Sequence, residues 1–367
     1  MSKKLLHIQS SEALTFRDGN EASFGGDVFS SGVFPPSLTT LYGAIRAIYF
    51  NEHPTDFDKR QTDEDPSLKL NLSGFCLKNG RNFLFPMPQD HVVDSSNRCH
   101  RLGLNEKDFL SSSSTTHTLR HSQNAKVQGA DSFLVDSAAL IHYLKGRAIN
   151  TDFTPMSELV HSEAVVHNAL DKYGVAKEGA LFVFQQNEMN IVSEAKTAER
   201  LTYLTQSQTS FVVQLNKDFE LSSKGLMTLG SDGKIANFKT DDQNNPFDLA
   251  APTNFEAGGT LVYYLATAGI YNTGAIPDFI QEAGSGLELL TYACSRLRAI
   301  GGYNTFNPAT NNGEPKPMYR TVPAGAVYYL KITDLKKAND TVKKIHGNAA
   351  AAYLTNEGYG VGYFGKC

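Results

Sequence analysis

The stretch Phe34 to Phe50, FPPSLTTLYGAIRAIYF, constrains this chain more than any other. Leu38, Leu41, Tyr42, Ile45, Ile48 and Tyr49 recur at spacings of three and four, which puts them on one face of a helix. Ser37 is placed to cap it, because its hydroxyl can accept from an orphan amide of the first turn. Pro35 and Pro36 fix the approach and hold Pro35 out of the α region. Upstream, Phe16-Arg17-Asp18-Gly19 is a turn signal at the end of a short apolar run, so the chain opens as strand, polar loop, proline corner and buried helix. An ordinary first strand and helix of an α+β domain reads the same way.

The 367 residues suffice for two domains, and 41% hydrophobic with 20% charged suits a globular chain with cores of its own. MSKKLLHIQSSE has no apolar run of signal-peptide length, and no stretch approaches the ~18 apolar residues of a membrane helix. No membrane association is expected. Cys76, Cys99, Cys294 and Cys367 form no CxxC, so neither a disulfide framework nor a zinc knuckle is suggested and the expectation is a reducing, cytoplasmic protein. The formal charge of −4 speaks against a general nucleic-acid binder, but its distribution is uneven. Arg296 to Cys367 holds ten Lys or Arg against four Asp or Glu. That asymmetry fits a face for an anion, or a solvated basic surface.

Lys4 to Ile8 and Ala13 to Phe16 read as a first strand or strand pair. Asn51 to Pro66, with six acidic and two basic residues, reads as a solvated insertion without assigned structure. Asn79-Gly80 between apolar runs predicts a hairpin, left through Phe85-Pro86-Met87-Pro88. Gln89 to Ser132 is polar, aperiodic and long for a loop, which marks it as functional or disordered. Asp136 to Lys145 predicts a short helix stopped by Gly146. Glu163 to Tyr173 fits either helix or extended chain. Strands are expected at Ala180 to Phe184, Ser210 to Leu215, twice within Gly225 to Lys239, at Thr260 to Ala266 and at Val327 to Ile332. Ala293 to Ile300 alternates, with Arg296 and Arg298 opposite Leu297. Asp334 caps a helix that turns Leu335, Ala338, Val342 and Ile345 inward. The chain ends on GYGVGYFG, which as a strand would put Gly358, Gly360 and Gly362 on one bare face, open either to packing or to the close approach of a ligand.

Catalytic patterns are thin. His161 and His167 are six apart and His117 and His121 four apart, without zincin spacing. There is no Gly-x-Ser-x-Gly elbow, P-loop or dinucleotide fingerprint, so no cofactor is expected. Asp241-Asp242 reads as a solvated pair.

Several stretches together carry a family resemblance. The opening strand, Phe16-Arg17-Asp18-Gly19 and FPPSLTTLYGAIR look like the N-terminal signature of the RAMP superfamily, Cas5-like group. More narrowly they resemble the third subunit of the type III-B (Cmr) CRISPR effector complex. Phe85-Pro86-Met87-Pro88, Ile141 to Gly146, Lys177-Glu178-Gly179 and the run Arg320 to Tyr329 agree with that family in order, and the terminal segment resembles its Gly-rich loop. One departure is Ser231-Asp232-Gly233-Lys234, where relatives run Gly-Glu-Arg. The resemblance implies two ferredoxin-like βαββαβ domains, at 1–200 with insertions near 51–66 and 89–132, and at 201–367. It implies a non-catalytic subunit that binds crRNA, caps its 5′ handle and docks the large polymerase-like subunit and the backbone RAMP subunits in RNA-guided antiviral defence, meeting target RNA indirectly. A crRNA-processing endoribonuclease and a protein-only scaffold are the alternatives. Arg17, Arg46, Arg320 and the terminal glycines are then expected at phosphates, with Arg296 and Arg298 from the basic C-terminal portion. The 89–132 loop is expected to act as a thumb on the crRNA, through Arg98, Arg101, Arg120 and His121 and a Phe109 or Leu110 wedge, and to have no core of its own.

Overall fold

The computed structural model describes residues 3–17, 29–30, 32–110, 114–122, 126–150, 152–190, 192–196, 202–206, 208–307, 310 and 312–367. Asp18, Gly19 and most of the loop into Phe34 lie outside them. Mostly strands, with few helices, they build two sheets stacked face to face, each covered on its outer face by a helix.

The first sheet uses β1 (Lys3–Ser10), β2 (Leu72–Asn79), β3 (Asn82–Pro86), β4 (Phe133–Asp136), β5 (Phe153–Pro155), β8 (Thr209–Asn216), β9 (Lys224–Thr228) and β10 (Ile235–Asp241). Its order is β5-β4-β3-β2-β8-β1-β10-β9, antiparallel throughout. A separate hairpin pairs β6 (His161–Leu170) with β7 (Ala176–Glu188), which settles Glu163 to Leu170 as strand and puts Asp171 to Tyr173 in the turn. The second sheet holds β11 (Thr260–Leu265), β12 (Leu287–Ala293), β13 (Val327–Ile332) and β14 (Gly362–Lys366) in the order β12-β13-β11-β14. The strands therefore change sheet between Asp241 and Thr260, later than the change near residue 200 read from the sequence.

Helix α1 (Leu38–Glu52) forms as its periodicity predicts, with Ser37 Oγ accepting from Thr40 N at 3.2 Å. All six predicted residues are buried, against Leu6, Ile8, Phe211 and Val213 of the first sheet. Each such aliphatic burial contributes about 1.5–3 kcal/mol. The alternate residues Leu5 and Val212 point the other way, into the layer shared with Val262, Tyr264, Val327 and Tyr329 of the second sheet. Strand β8 is thus buried on both faces, and at its centre Phe211-Val212-Val213 runs apolar without alternating. Helix α2 (Ser137–Leu144), capped by Asp136, contributes Leu140, Tyr143 and Leu144 to the shared layer. Helix α3 (Leu335–Ile345) covers the far side of the second sheet with Ala338, Val342 and Ile345, while Leu335 stays exposed.

Two expectations about insertions are corrected. The acidic stretch after α1 is folded, with 3₁₀ turns at Pro54–Lys59 and Pro66–Lys69. Its Asp65 is buried and accepts from Arg46, Ser67 and Gln61. One buried carboxylate with several donors organises a segment whose composition alone looks unstructured. The described part of 89–132 forms short strands at His91–Asp94, Cys99–Arg101, Gly103–Glu106, His117–Arg120 and Val127–Gly129. It buries Asp90, His91, Val93, Cys99 and Ala130. It borrows the layer between the sheets instead of making a core of its own, and Thr116 N donates to Leu290 O on the edge strand β12. In the Asn79-Gly80 hairpin, Asn79 pairs with Asn82, so the turn centres on Gly80-Arg81, with Gly80 at φ +59°.

Candidate nucleic-acid interface

The sequence-predicted contact residues separate into internal and exposed groups. Arg101 is internal. Its Nε donates to Asp90 Oδ2 at 3.0 Å, and its guanidinium lies over the Tyr143 ring, 4.9 Å from the centroid. Asp90 also accepts from Tyr143 Oη at 2.9 Å, Tyr329 Oη at 2.6 Å and His91 Nδ1 at 2.8 Å, with no exposure to solvent. Burial pushes the Asp90 carboxyl up, but His91, Arg101 and Tyr329 outweigh it and bring the pKa down to about 2. This cluster joins the 89–132 segment, α2 and β13. Arg101 is therefore corrected from a phosphate contact to the counter-ion of a buried carboxylate.

Arg46 likewise turns inward, donating to Asp65 Oδ2 at 2.5 Å and Ser67 Oγ at 2.7 Å. The strand expected here begins only at Gly362; Gly358 and Gly360 lie in the turn before it at positive φ, and all three glycines are buried against this chain. A Cβ on Gly360 (φ +83°) would lie 2.5 Å from Ala351 N, one on Gly362 would enter the Tyr263 ring, and one on Gly358 would meet Leu72 at 3.1 Å. Packing, not ligand approach, explains Gly358, Gly360 and Gly362.

Arg98 and Arg120 are exposed but engaged, Arg98 with Asp94 at 3.5 Å and Arg120 with Asp108. His121 stands with its ring 5.2 Å from that of His100. Arg17 lies over Phe184 of β7, 5.0 Å from the ring centroid. The structure does not bring the four loop residues to one face: Arg101 is sequestered, and each of the other three sits against a local partner.

Arg296, Arg298 and Arg320 differ. All three are exposed, and among the described residues no carboxylate pairs with any of them. Arg298–Ile300 and Tyr319–Thr321 make a two-stranded ribbon in which Ile300 opposes Tyr319 and Ala299 opposes Arg320. Arg296 and Arg298 are exposed while Leu297 between them packs on the core, as the alternation expects, but after Ala293 only Arg298–Ile300 is strand. Tyr319 and Ile300 root the ribbon in the core under α1, and Tyr319 packs on Tyr353 with centroids 5.2 Å apart. Sequence reasoning passed over the aromatic company of these arginines. Tyr303, Met318 and Tyr353 are 61%, 58% and 46% exposed. The visible signal was the run Met318-Tyr319-Arg320, an aromatic next to a cation.

The β6–β7 hairpin is the other exposed feature. Its turn is tied by Asp171 Oδ1, which accepts from Tyr173 N and Val175 N, with Gly174 at φ +78°. Val166, Leu170, Tyr173 and Val175 are exposed along it, and its root is anchored where Asn187 bridges Leu14. Among the described residues no group of three His, Cys, Asp or Glu side chains is placed to hold a metal ion, and no helix is long and apolar enough to cross a membrane.

The sequence from residue 11 to residue 367 matches the family model described as CRISPR-associated protein (Cas_Cmr3). The chain belongs to the Cas_Cmr3 family. No curated protein matches it in sequence. Among solved structures, this Cas_Cmr3 chain is similar in fold to one in the cryo-EM structure of the Type III-B Cmr-beta bound to cognate target RNA. The two are 15% identical with a TM-score of 0.50, covering 89% of this chain and 86% of that one. A chain of the Csm3-Csm4 subcomplex in the type III-A CRISPR-Cas interference complex is 12% identical with a TM-score of 0.40, over 90% of this chain and 94% of that one.

Proposed function

We propose that this Cas_Cmr3 protein is a non-catalytic crRNA-binding subunit of a type III-B CRISPR effector complex. In that role it caps the 5′ handle of the crRNA and docks the large polymerase-like subunit and the backbone RAMP subunits. The family match over residues 11–367 carries the reading. The sheet orders support the ferredoxin-like architecture that goes with it. Read along the chain, β1, β2, β8 and β10 lie in the order fourth-first-third-second, and β11, β12, β13 and β14 repeat that order. Helix α1 follows the first strand of the first set, and helix α3 follows the third strand of the second.

The uncommitted arginines and the projecting hairpin are the features of this chain suited to RNA. Phosphate contacts fix position, and an arm with apolar side chains can wedge beside unstacked bases. Because Arg101 is buried and the 89–132 segment packs against β12, the arm with reach is β6–β7.

The test is reconstitution of the effector complex with and without this subunit, scored by crRNA retention and nuclease protection of the handle. The handle is expected to lose protection when the subunit is omitted, and retention is expected to fall with salt as phosphate counterions are released. Handle protection unchanged without the subunit would overturn the reading. So would metal-independent cleavage of repeat RNA by the purified protein that a single His→Ala substitution abolishes.

A further inference from the structure

We infer that the exposed end of the first sheet, on the face turned away from α1, is a phosphate track for single-stranded RNA, with Lys224, Lys239 and Lys78 as its cations around His7. The inference rests on the proposed crRNA-binding role and adds a third RNA surface to the uncommitted arginines and the β6–β7 arm. Three observations converge on this face.

The first is register. Lys224 of β9 lies directly opposite Lys239 of β10, and Lys239 lies directly opposite His7 of β1. Directly opposed residues of antiparallel strands share a face, so the three stand in one row across strands ~4.8 Å apart. Met227, Ala236, Phe238 and Ile8, on the alternate face, pack under α1. The row therefore points the other way. On that side Leu5 and Val212 are covered by the second sheet, whereas Lys224, Asn237 and Lys239 are exposed. Beyond His7 the basic surface continues. The His7 ring lies 6.3 Å from the ring of Phe83 on β3, and Lys78 Nζ of β2 stands 5.0 Å from the centroid of that same ring.

The second is charge. Two lysines directly opposed repel each other and weaken their strand pair. Among the described residues no carboxylate forms an ion pair with Lys78, Lys224 or Lys239. The neighbouring Lys217 and Lys234, by contrast, are held by Asp242 and Glu12. Burial pushes the His7 pKa down, Lys78 and Lys239 push it further, and Asp241 opposes them. His7 Nε2 is buried and has no hydrogen-bond partner among the described residues. A buried polar atom left unpaired costs free energy that an incoming partner recovers.

The third is direction. Strand β9 is the last in its sheet. A peptide added at its free edge would run along the strands and meet only Lys224 of the row. A chain lying across the sheet meets Lys224, Lys239 and Lys78 in turn, as single-stranded RNA does on the open sheet of an RRM. Leu226 and Ile235, diagonal neighbours on the same face, are 65% and 47% exposed and give the bases an apolar floor beside the cations. Lysine is a point charge on a flexible stem, which suits phosphates without selecting bases.

The test is crRNA retention by the reconstituted complex as salt is raised, with Lys224→Gln, Lys239→Gln and Lys78→Gln made singly and together in this subunit. Each change removes one phosphate contact. Each should lower the slope of log affinity against log salt by about 0.7 and weaken retention about fourfold at ~0.15 M salt, and the triple variant should lose roughly fiftyfold. Lys239→Arg keeps the charge and should retain crRNA like wild type. Lys217→Gln, whose Nζ already donates to Asp242 at 2.6 Å, should leave the slope unchanged. A scan of neutral methylphosphonate linkages along the crRNA should find positions that weaken the wild-type complex and leave the triple variant unaffected. Lys224→Gln relieves a like-charge pair, so the melting temperature of the purified subunit should stay at or above wild type; a fall of several degrees would mark the lysine as structural and overturn the track. Unchanged retention and slope in the triple variant, where omission of the whole subunit exposes the handle, would overturn the track and leave the crRNA-binding role standing. A handle still protected without the subunit would overturn that role itself. Loss of a protein subunit from the triple-variant complex, with crRNA retention unchanged, would make the face a protein dock and overturn the track.

Discussion

Replacing Asp90 by alanine removes the shared acceptor of four donors: Arg101 Nε, Tyr143 Oη, Tyr329 Oη and His91 Nδ1. The guanidinium of Arg101 then stays largely buried without its counter-ion. Breaking a buried pair by removing one partner costs about 3–5 kcal/mol, against a total stability of about 5–15 kcal/mol for a typical domain. Asp90→Ala should therefore lower the urea midpoint of the purified subunit, followed by far-ultraviolet circular dichroism, by about a fifth or more. Tyr329→Phe removes one hydrogen bond to a charged acceptor and should cost about 1.5–3 kcal/mol. The two changes share an acceptor, so the double variant should lose less than the sum. The acid limb follows from the same group. The carboxyl sits at about 2 in the folded protein, below the ~3.9 of an unfolded aspartate. Its contribution is complete above pH ~4 and is lost as pH falls through 2, an effect of about 2–3 kcal/mol that the Asp90→Ala variant should lack. A midpoint within ~0.5 kcal/mol of wild type, or an unchanged acid limb, would refute the view that this cluster pins the 89–132 segment and α2 to β13.

Gly360→Val combines a positive φ with a Cβ placed on Ala351 N, so loss of soluble folded protein is expected; a native circular-dichroism spectrum with only crRNA binding reduced would return that glycine to the RNA surface. Arg46→Ala strands the buried Asp65 and should destabilise by about 3 kcal/mol in denaturant melts without changing the salt slope of crRNA binding.

Local patterns were legible in the sequence where local physics decides them. The α1 face, its Ser37 cap, the Gly80 hairpin and the α3 stripe all follow from periodicity and terminus chemistry that a window of a few turns contains. Strand β8 lying between β1 and β2 was not legible, because no window holds Ile8 and Phe211 together. The site residues failed for a related reason. Composition records that Arg98, Arg101 and Arg120 are cations but not whether a carboxylate already holds them, and the partner of Arg101 is also bound by Tyr329, far along the chain. The exposed ribbon of Arg298–Ile300 and Tyr319–Thr321 was half visible. Arg298 and Arg320 stood out by charge, whereas Tyr303 and Tyr353 resemble core aromatics until their exposure is seen.

The central pairing of the first sheet has a consequence for synthesis. Strand β1 leaves the ribosome before its partners, since both its neighbours, β8 and β10, come after the whole 89–132 segment and the β6–β7 hairpin. Until Phe211 emerges, Ile8 has no strand to pair with, and the nascent chain carries two unsatisfied edges and an apolar face that only α1 shields. Such non-local closure is slow and prone to misassociation. Slowed elongation after Asn216 should favour correct folding, and a message truncated before it should yield aggregate. The second sheet, with all four strands after Gly259, can assemble as a later and separate event.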